Sequence, residues 1–199
     1  MSFTSGCDSP SAPEKSGQVQ PTKTAKRQPT TLLSGRSAFQ QLFIAARNWA
    51  PDAMPLKMES HPRKEDGQAG KASVWAATFV SPEKKSLRSF LWSGADADDA
   101  PEQGITPGNM SIFSPSNIST QPFNINFLKV DTDTSLVTAN QKGGAAVLKK
   151  NPDLLMRYIL FWDPIKGRLA WKVVFGVSET QAKATIVVDA TTGVFIKKE

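Results

Sequence analysis

The stretch LLMRYILFWD (residues 154–163) is followed by LAWKVVFGVS (residues 169–178) and AKATIVVDATTGVFIK (residues 182–197). Each is apolar, rich in β-branched and aromatic residues, and separated from the next by a turn signal, which predicts three consecutive strands. A helical pattern at residues 134–149 precedes them. A helix followed by an antiparallel meander is the plan of a compact binding module, so the pattern predicts an α+β fold.

The first half of the chain shows the same order of elements. Ser34 is expected to cap a helix that ends at Ala50-Pro51, because a residue before proline disfavours helical geometry. The segments that follow are predicted to be strands at residues 56–60, 72–80 and 87–92, a loop at residues 94–108, and one or two further strands within residues 111–117 and 123–130.

The two halves align with one another when the first is shifted by 96 residues, which places Trp75 on Trp171 and Phe79 on Phe175. The match favours a duplicated unit, although any two amphipathic α+β segments can be slid into partial register. The predicted fold is therefore α+β with tandem units, each a helix packed on an antiparallel β-meander sheet. Both tryptophans are expected to point inward and anchor the helix on the sheet.

Four segments follow from this interpretation. Residues 1–33 are rich in Ser, Pro and Lys and contain few large apolar side chains, so they predict a disordered tail or tether. Residues 34–97 form the first α+β unit, residues 98–130 a loop with connecting strands, and residues 131–199 the second α+β unit.

The chain is basic, with a net charge of +6 and an isoelectric point near 9.5. Its lysines and arginines occur singly or in pairs, and no stretch alternates them with aromatic residues as single-strand binders do. The distribution indicates a solvated surface and predicts no nucleic-acid partner.

The single cysteine, Cys7, excludes an internal disulfide. Ser5-Gly6-Cys7 resembles the end of a bacterial lipoprotein signal, in which the cysteine becomes the lipidated first residue. Lipidation would place the protein in the cell envelope, periplasmic or membrane-anchored, with the lipid as its only membrane contact. The alternative is a free thiol in the tail, and a cytoplasmic location if Met1 is the true start.

The second half also carries two short motifs: the strand LAWKV (residues 169–173) and the segment IVVDATTGV (residues 186–194). Together with the preceding helix, over residues 133–198, they resemble a PepSY domain. The first half keeps the tryptophan strand but has Leu91-Trp92-Ser93-Gly94 at the position of the Asp-Ala-Thr-Gly turn. It resembles a degenerate copy.

What the resemblance implies is a non-catalytic module of the cell envelope. PepSY-like domains accompany peptidases as inhibitors or chaperones, or bind other envelope ligands. The expected partner is therefore a protein or peptide, with a peptidase as one candidate. The resemblance carries no set of binding residues onto this chain.

Four aromatic residues are candidates for a partner surface, because they lie in or near strand ends where part of a large side chain can stay exposed. They are Trp92, Tyr158, Phe161 and Trp162. The turn from Asp189 to Gly193 has a structural explanation: the Asp side chain bonds the backbone two residues on, and Gly accepts a positive φ.

The sequence predicts no enzyme, no metal site and no cofactor. One histidine and one cysteine make no metal cluster, and the acidic loop at Asp96, Asp98 and Asp99 lacks the ligand spacing of a calcium site. Two alternatives remain open. One is a structural lipoprotein scaffold, and the other is a hydrolase that sets this loop opposite Asp131 or Asp163.

Overall fold

A computed structural model describes residues 1–3, 29–64, 66–117 and 120–199. Cys7 and most of the predicted tail lie outside the described residues. In chain order, the elements are β1 (Leu33–Ser34), α1 (Gly35–Trp49), β2 (Met54–Ser60), β3 (Lys71–Ala72), β4 (Val74–Ser81), β5 (Ser86–Ser93), β6 (Gly104–Ile112), α2 (Thr132–Ala139), α3 (Ala145–Lys150), β7 (Met156–Asp163), β8 (Arg168–Phe175), β9 (Ala184–Asp189) and β10 (Phe195–Lys198).

The main sheet has eight strands in the order β10-β9-β8-β7-β2-β4-β5-β6, and β1 pairs with β3 in a small second sheet. The α+β class predicted from the sequence is confirmed. Each half supplies four strands to the main sheet, β2, β4, β5 and β6 from the first and β7 to β10 from the second, and the two sets join where β2 runs antiparallel to β7. These eight strands therefore form one continuous sheet rather than two separate meanders, and the duplication of the halves stays a prediction.

The structure differs from the predicted strands at three places. Residues 94–108 were predicted to be a loop, yet β6 begins at Gly104 and pairs with β5, with a register shift at Gly108 and Asn109. Glycine and proline are tolerated there because β6 is an edge strand. Residues 123–130 form no strand. The third apolar stretch of the second half divides at the predicted Asp189–Gly193 turn into β9 and β10, so its meander has four strands rather than three.

The core lies on the sheet face that the helices cover. As predicted, Trp75 and Trp171 are fully buried there, and their rings meet edge to face with centroids 6.4 Å apart. Each indole N–H donates to the carbonyl of the residue before a helix cap: Trp75 to Leu33 at 3.1 Å and Trp171 to Val130 at 2.9 Å. The same contact thus ties each tryptophan strand to the start of a helix.

The two helices begin beside one another, and Asp131 serves both of them. Its carboxylate accepts the N–H of Thr132 in its own helix at 2.7 Å and the N–H of Arg36 in α1 at 2.8 Å. It also accepts the hydroxyl of Ser34 at 2.7 Å. One side chain therefore satisfies unpaired donors at the start of both helices.

The second helix is interrupted, as its two glycines predicted. The chain kinks over Asn140–Gly144 between α2 and α3, where Lys142 and Gly143 leave helical geometry and Gly143 adopts a φ of 112°. Gly144 lies against the ring of Phe175, where a Cβ would overlap the ring. Among the described residues, no helix combines the length and apolar character that crossing a bilayer requires.

Candidate functional site

Two of the four predicted partner residues are part of the core. Trp92 is buried and Tyr158 is fully buried. The Tyr158 hydroxyl donates to the carbonyl of Gly67 at 2.7 Å, and burial raises the pKa of this phenol. Their assignment to a partner surface was wrong, because both side chains point to the face that the helices and neighbouring loops cover.

The other two residues, Phe161 and Trp162, are half-buried, and both line one groove at the end of β7. Phe161 and Trp162 are successive residues of β7, so their side chains point to opposite faces of the sheet. The Lys172 Nζ lies 5.0 Å from the centre of the Phe161 ring on the face without helices. Trp162 packs on Phe127, with ring centroids 5.4 Å apart.

The Asp189 turn is held by its own side chain. Asp189 Oδ1 accepts the N–H groups of Thr191 and Thr192, each at 2.9 Å. Gly193 adopts a φ of 77°, and its N–H donates to the Asp189 carbonyl at 2.8 Å. These contacts are those of a structural turn.

The carboxylates of the hydrolase alternative occupy different places. Asp99 pairs with Arg63 at 2.7 Å, and the hydrogen bond from Arg63 lowers the Asp99 pKa. Asp131 caps the helices, and Asp163 accepts the N–H groups of Ile165 and Lys166 in the β7–β8 hairpin. Within the described ranges, no group of three or more His, Cys, Asp or Glu is placed to hold a metal ion.

The feature that the sequence reasoning missed is an apolar row on β6. Four side chains of this strand lie opposite Trp92, Phe90, Arg88 and Ser86 of β5, and hence on the face of the sheet that carries the core. They are Ile105, Pro107, Met110 and Ile112. All four are exposed, because α1 contacts β5 and β4 and does not extend over the last strand. We call this set the edge row.

The edge row borders a groove of about 680 Å³ on its side facing the helix. Trp49, the last residue of α1, forms one wall, and Met110 and Ile112 form the other. Lys84, Lys85 and Arg88 supply the charged part of the lining, to which no acidic side chain contributes. The groove therefore joins an apolar surface to a positive rim.

The basic turn beside this groove is held in place by Asp52. Its carboxylate accepts the Ser81 hydroxyl at 2.7 Å and the Glu83 N–H at 2.9 Å. Desolvation raises the pKa of Asp52, but these two hydrogen bonds and the nearby Lys84 outweigh it, so the pKa lies below its ordinary value. An ionised Asp52 thus fixes the turn from which Lys84 and Lys85 project.

The outer backbone of β6 is free to pair near its end. Phe113 donates its N–H inward to the Lys85 carbonyl at 3.0 Å. Because inward and outward groups alternate along an antiparallel ladder, the backbone N–H and C=O of Met110 and Ile112 face away from β5. Earlier in β6, Pro107 has no N–H to donate, and the register of the ladder shifts between Pro107 and Met110, which lie opposite Phe90 and Arg88. The outer backbone is therefore regular only near the end of the strand.

The other edge strand of the sheet, β10, is better protected against pairing with another chain. β10 has only four residues, and Lys197 and Lys198 are its exposed end. Lys197 also pairs with Glu199 at 2.5 Å. Short length and charge are the usual means of blocking an edge strand, so β6 is the edge that is open to a partner.

Comparison of the chain with known proteins finds no family model, no curated protein and no solved structure that matches it.

Proposed function

We propose that this protein is a non-catalytic binding module that holds an extended, acidic segment of a partner protein against β6. The single observation that carries the proposal is the edge row, an apolar set of side chains on the core face of an unpaired strand. Apolar surface of this kind on an edge strand marks an interaction site.

An extended segment fits this edge because main-chain pairing supplies affinity and alternate side chains supply selectivity. The free backbone groups of Met110 and Ile112 would pair with the added strand. Alternate side chains of that strand would then lie over the edge row and against Trp49. Pro107 limits the pairing to the end of β6, so the segment that pairs is short.

The charge of the groove selects the partner. Lys84, Lys85 and Arg88 line it without an acidic neighbour in the lining, so a segment with Asp or Glu beside its apolar residues would be favoured over a basic one. The same three cations disfavour a second copy of this chain at the groove, because like charges would meet.

The sequence motifs support a place for this activity. The PepSY resemblance and the Ser5-Gly6-Cys7 motif both point to the cell envelope, where a peptidase is a candidate partner and a lipid on Cys7 would tether the module. A Pro- and Ser-rich tether would let the module reach partners away from the membrane surface.

The proposal is tested by fluorescence anisotropy with two labelled peptides of equal length, one alternating Val with Glu and one alternating Val with Lys. The Glu peptide is expected to bind the full chain and the Lys peptide to bind at least tenfold more weakly, which is a difference of about 1.4 kcal/mol. Equal binding of both peptides, or binding of neither, contradicts the proposal.

A matched pair of variants locates the site. Ile112 and Ile165 are each 89% exposed, the first on β6 and the second in the β7–β8 hairpin. Ile112→Asp is expected to abolish binding of the Glu peptide, and Ile165→Asp to leave it unchanged. If both substitutions weaken binding equally, the edge row is not the site.

A scaffold role is the second candidate, and the exposure of Ile112 favours it as well, since permanent assemblies bury such residues. Sedimentation of the full chain distinguishes the two roles. Self-association that Ile112→Asp removes would indicate a scaffold, whereas a monomer that binds the Glu peptide supports the binding module.

A further inference from the structure

A second apolar surface lies where α1 meets the short helical turn Ile125–Phe127. Phe43 of α1 and Ile125 of the turn line one groove of about 450 Å³. Ile125 and Phe127 are 41% and 40% exposed, Phe43 is half-buried, and Phe127 packs on Trp162. These four side chains form one connected surface, which we call the turn surface. Its groove shares no lining residue with the groove beside β6.

The rings of the turn surface are supported from beneath. Phe43 stacks on the buried Phe39, with ring centroids 5.7 Å apart and planes inclined by 12°. The Phe39 ring lies 6.3 Å from that of Phe123, which is buried just before the turn. Because the rings are already held in place, contact with a partner would cost little side-chain entropy.

The backbone of the turn makes its hydrogen bonds internally. The Asn124 carbonyl accepts the N–H of Phe127 at 3.1 Å, and the Ile125 carbonyl accepts the N–H of Leu128 at 2.9 Å. The Asn124 side chain accepts the N–H of Asn126 at 2.9 Å. The tips of Ile125 and Phe127 can therefore enter an apolar medium without leaving these N–H groups unpaired. An added peptide strand gains little from a turn whose donors are already used.

The charges beside the turn surface are mainly positive. Neither α1 nor residues 113–130 contain an Asp or a Glu. Three exposed cations belong to these segments: Arg36, Arg47 and Lys129. The one acid in the lining of the groove is Asp131, whose carboxylate already accepts N–H groups at the starts of both helices. The surface is therefore complementary in charge to an anionic partner.

From these observations we infer that the turn surface docks on an anionic phospholipid bilayer. The apolar tips enter the boundary between headgroups and acyl chains, and Arg36, Arg47 and Lys129 meet the phosphate groups. This contact would act in addition to any lipid on Cys7, and stable attachment to a membrane generally takes two such signals. The inference does not depend on the segment proposed to bind at β6.

The test is co-sedimentation of the full chain, without a lipid on Cys7, with vesicles of phosphatidylcholine alone or with about 30% phosphatidylglycerol. Binding is expected to be at least about tenfold stronger to the anionic vesicles, because each cation near such a surface contributes about fivefold. It is also expected to fall at about 0.5 M salt, where exposed charges are screened. Equal binding to the two kinds of vesicle, or binding to neither, overturns the inference.

A matched pair of apolar variants locates the contact. Phe127→Ser is expected to weaken binding to the anionic vesicles about tenfold, because it removes an apolar side chain that would leave water. Val177→Ser is expected to leave binding unchanged: Val177 is also 40% exposed but follows β8, at the far end from the residue that pairs with Trp162. Ile125→Ser replaces Phe127→Ser if that variant fails to fold. Equal losses at the two positions, or binding that survives the substitution in the turn, overturn the inference.

A matched pair of charge variants tests the role of the cations. Arg47→Gln is expected to weaken binding to the anionic vesicles about fivefold. Lys149→Gln removes the same charge from the last turn of α3 and is expected to change binding less than about twofold, because a distant charge is screened. If Phe127→Ser abolishes self-association and leaves vesicle binding intact, the turn surface joins copies of this chain and the inference is overturned.

Discussion

Asp131→Ala removes the one carboxylate that serves both helices, and its cost follows from the contacts it makes. The side chain accepts an N–H from the first turn of α1 and another from the start of α2. Loss of an N-cap acceptor costs about 1 kcal/mol at each helix. Loss of the negative charge near two helix N-termini adds about 0.3–1 kcal/mol for each. The expected decrease in the free energy of unfolding is therefore about 2.6–4 kcal/mol.

The assay is urea unfolding of the full chain, followed by tryptophan fluorescence. Because Trp75 and Trp171 are buried, their emission reports loss of the core. The midpoint is expected to fall by about 1–2 M urea, since the unfolding free energy of such domains changes by about 1–3 kcal/mol per molar urea. Asp131→Asn keeps the oxygen that accepts both N–H groups but loses the charge and the oxygen that accepts the Ser34 hydroxyl, so its effect should be smaller than that of Asp131→Ala.

The matched control is Asp133→Ala, which removes the same charge two residues away. Asp133 is exposed, and its carboxylate accepts the N–H of Thr134 within its own helix. Its loss should cost about 1 kcal/mol or less. If Asp131→Ala destabilises the protein no more than Asp133→Ala does, the shared cap contributes nothing and the reasoning is refuted.

Three further outcomes are expected. Gly35→Ala should lower the free energy of unfolding by about 1–3 kcal/mol in urea, because an added Cβ would lie 2.6 Å from the Trp171 ring; an unchanged midpoint would contradict this contact. Tyr158→Phe should cost about 1–3 kcal/mol in the same assay, since the buried Gly67 carbonyl loses its donor, and a neutral result would show that it finds another. Asp52→Asn should reduce the loss of stability on acidification: the folded pKa of Asp52 lies below the unfolded value, so its contribution is present above about pH 4 and disappears as the pH falls through the folded pKa. Unfolding curves measured from about pH 5 to pH 2.5 check this, and parallel losses in both proteins would speak against it.

The core was predictable because its signals are local. The indoles of Trp75 and Trp171 lie on strands whose alternation is plain in the sequence. The start of α1 follows from Ser34, and its end follows from the proline after Ala50. The break at Gly143-Gly144 follows from the low helix propensity of glycine. Each of these depends on neighbours a few residues away.

The candidate site was not predictable in the same way. The strand β6 contains Pro107 and Gly108, which read as loop residues, and only its pairing with β5 shows that it extends the sheet. The edge row is apolar at residues 105, 107, 110 and 112, and the shift between 107 and 110 hides the alternation. Tyr158 was misplaced for a related reason: the loop that accepts its hydroxyl lies 91 residues away in sequence.

The seam between β2 and β7 has a consequence for how the chain is made. Met58 pairs with Leu160, which follows it by 102 residues in the sequence (160 − 58). At translation speeds of about 5–20 residues per second, β2 waits for its neighbour for about 5–20 s after it has been synthesised. During that interval the first half of the chain has two unpaired edge strands, β2 and β6. Only β2 later gains a neighbour, when β7 pairs with it. Until the second half exists, β2 therefore lacks its neighbour on the inner side, and an unpaired strand of this kind can pair with another chain.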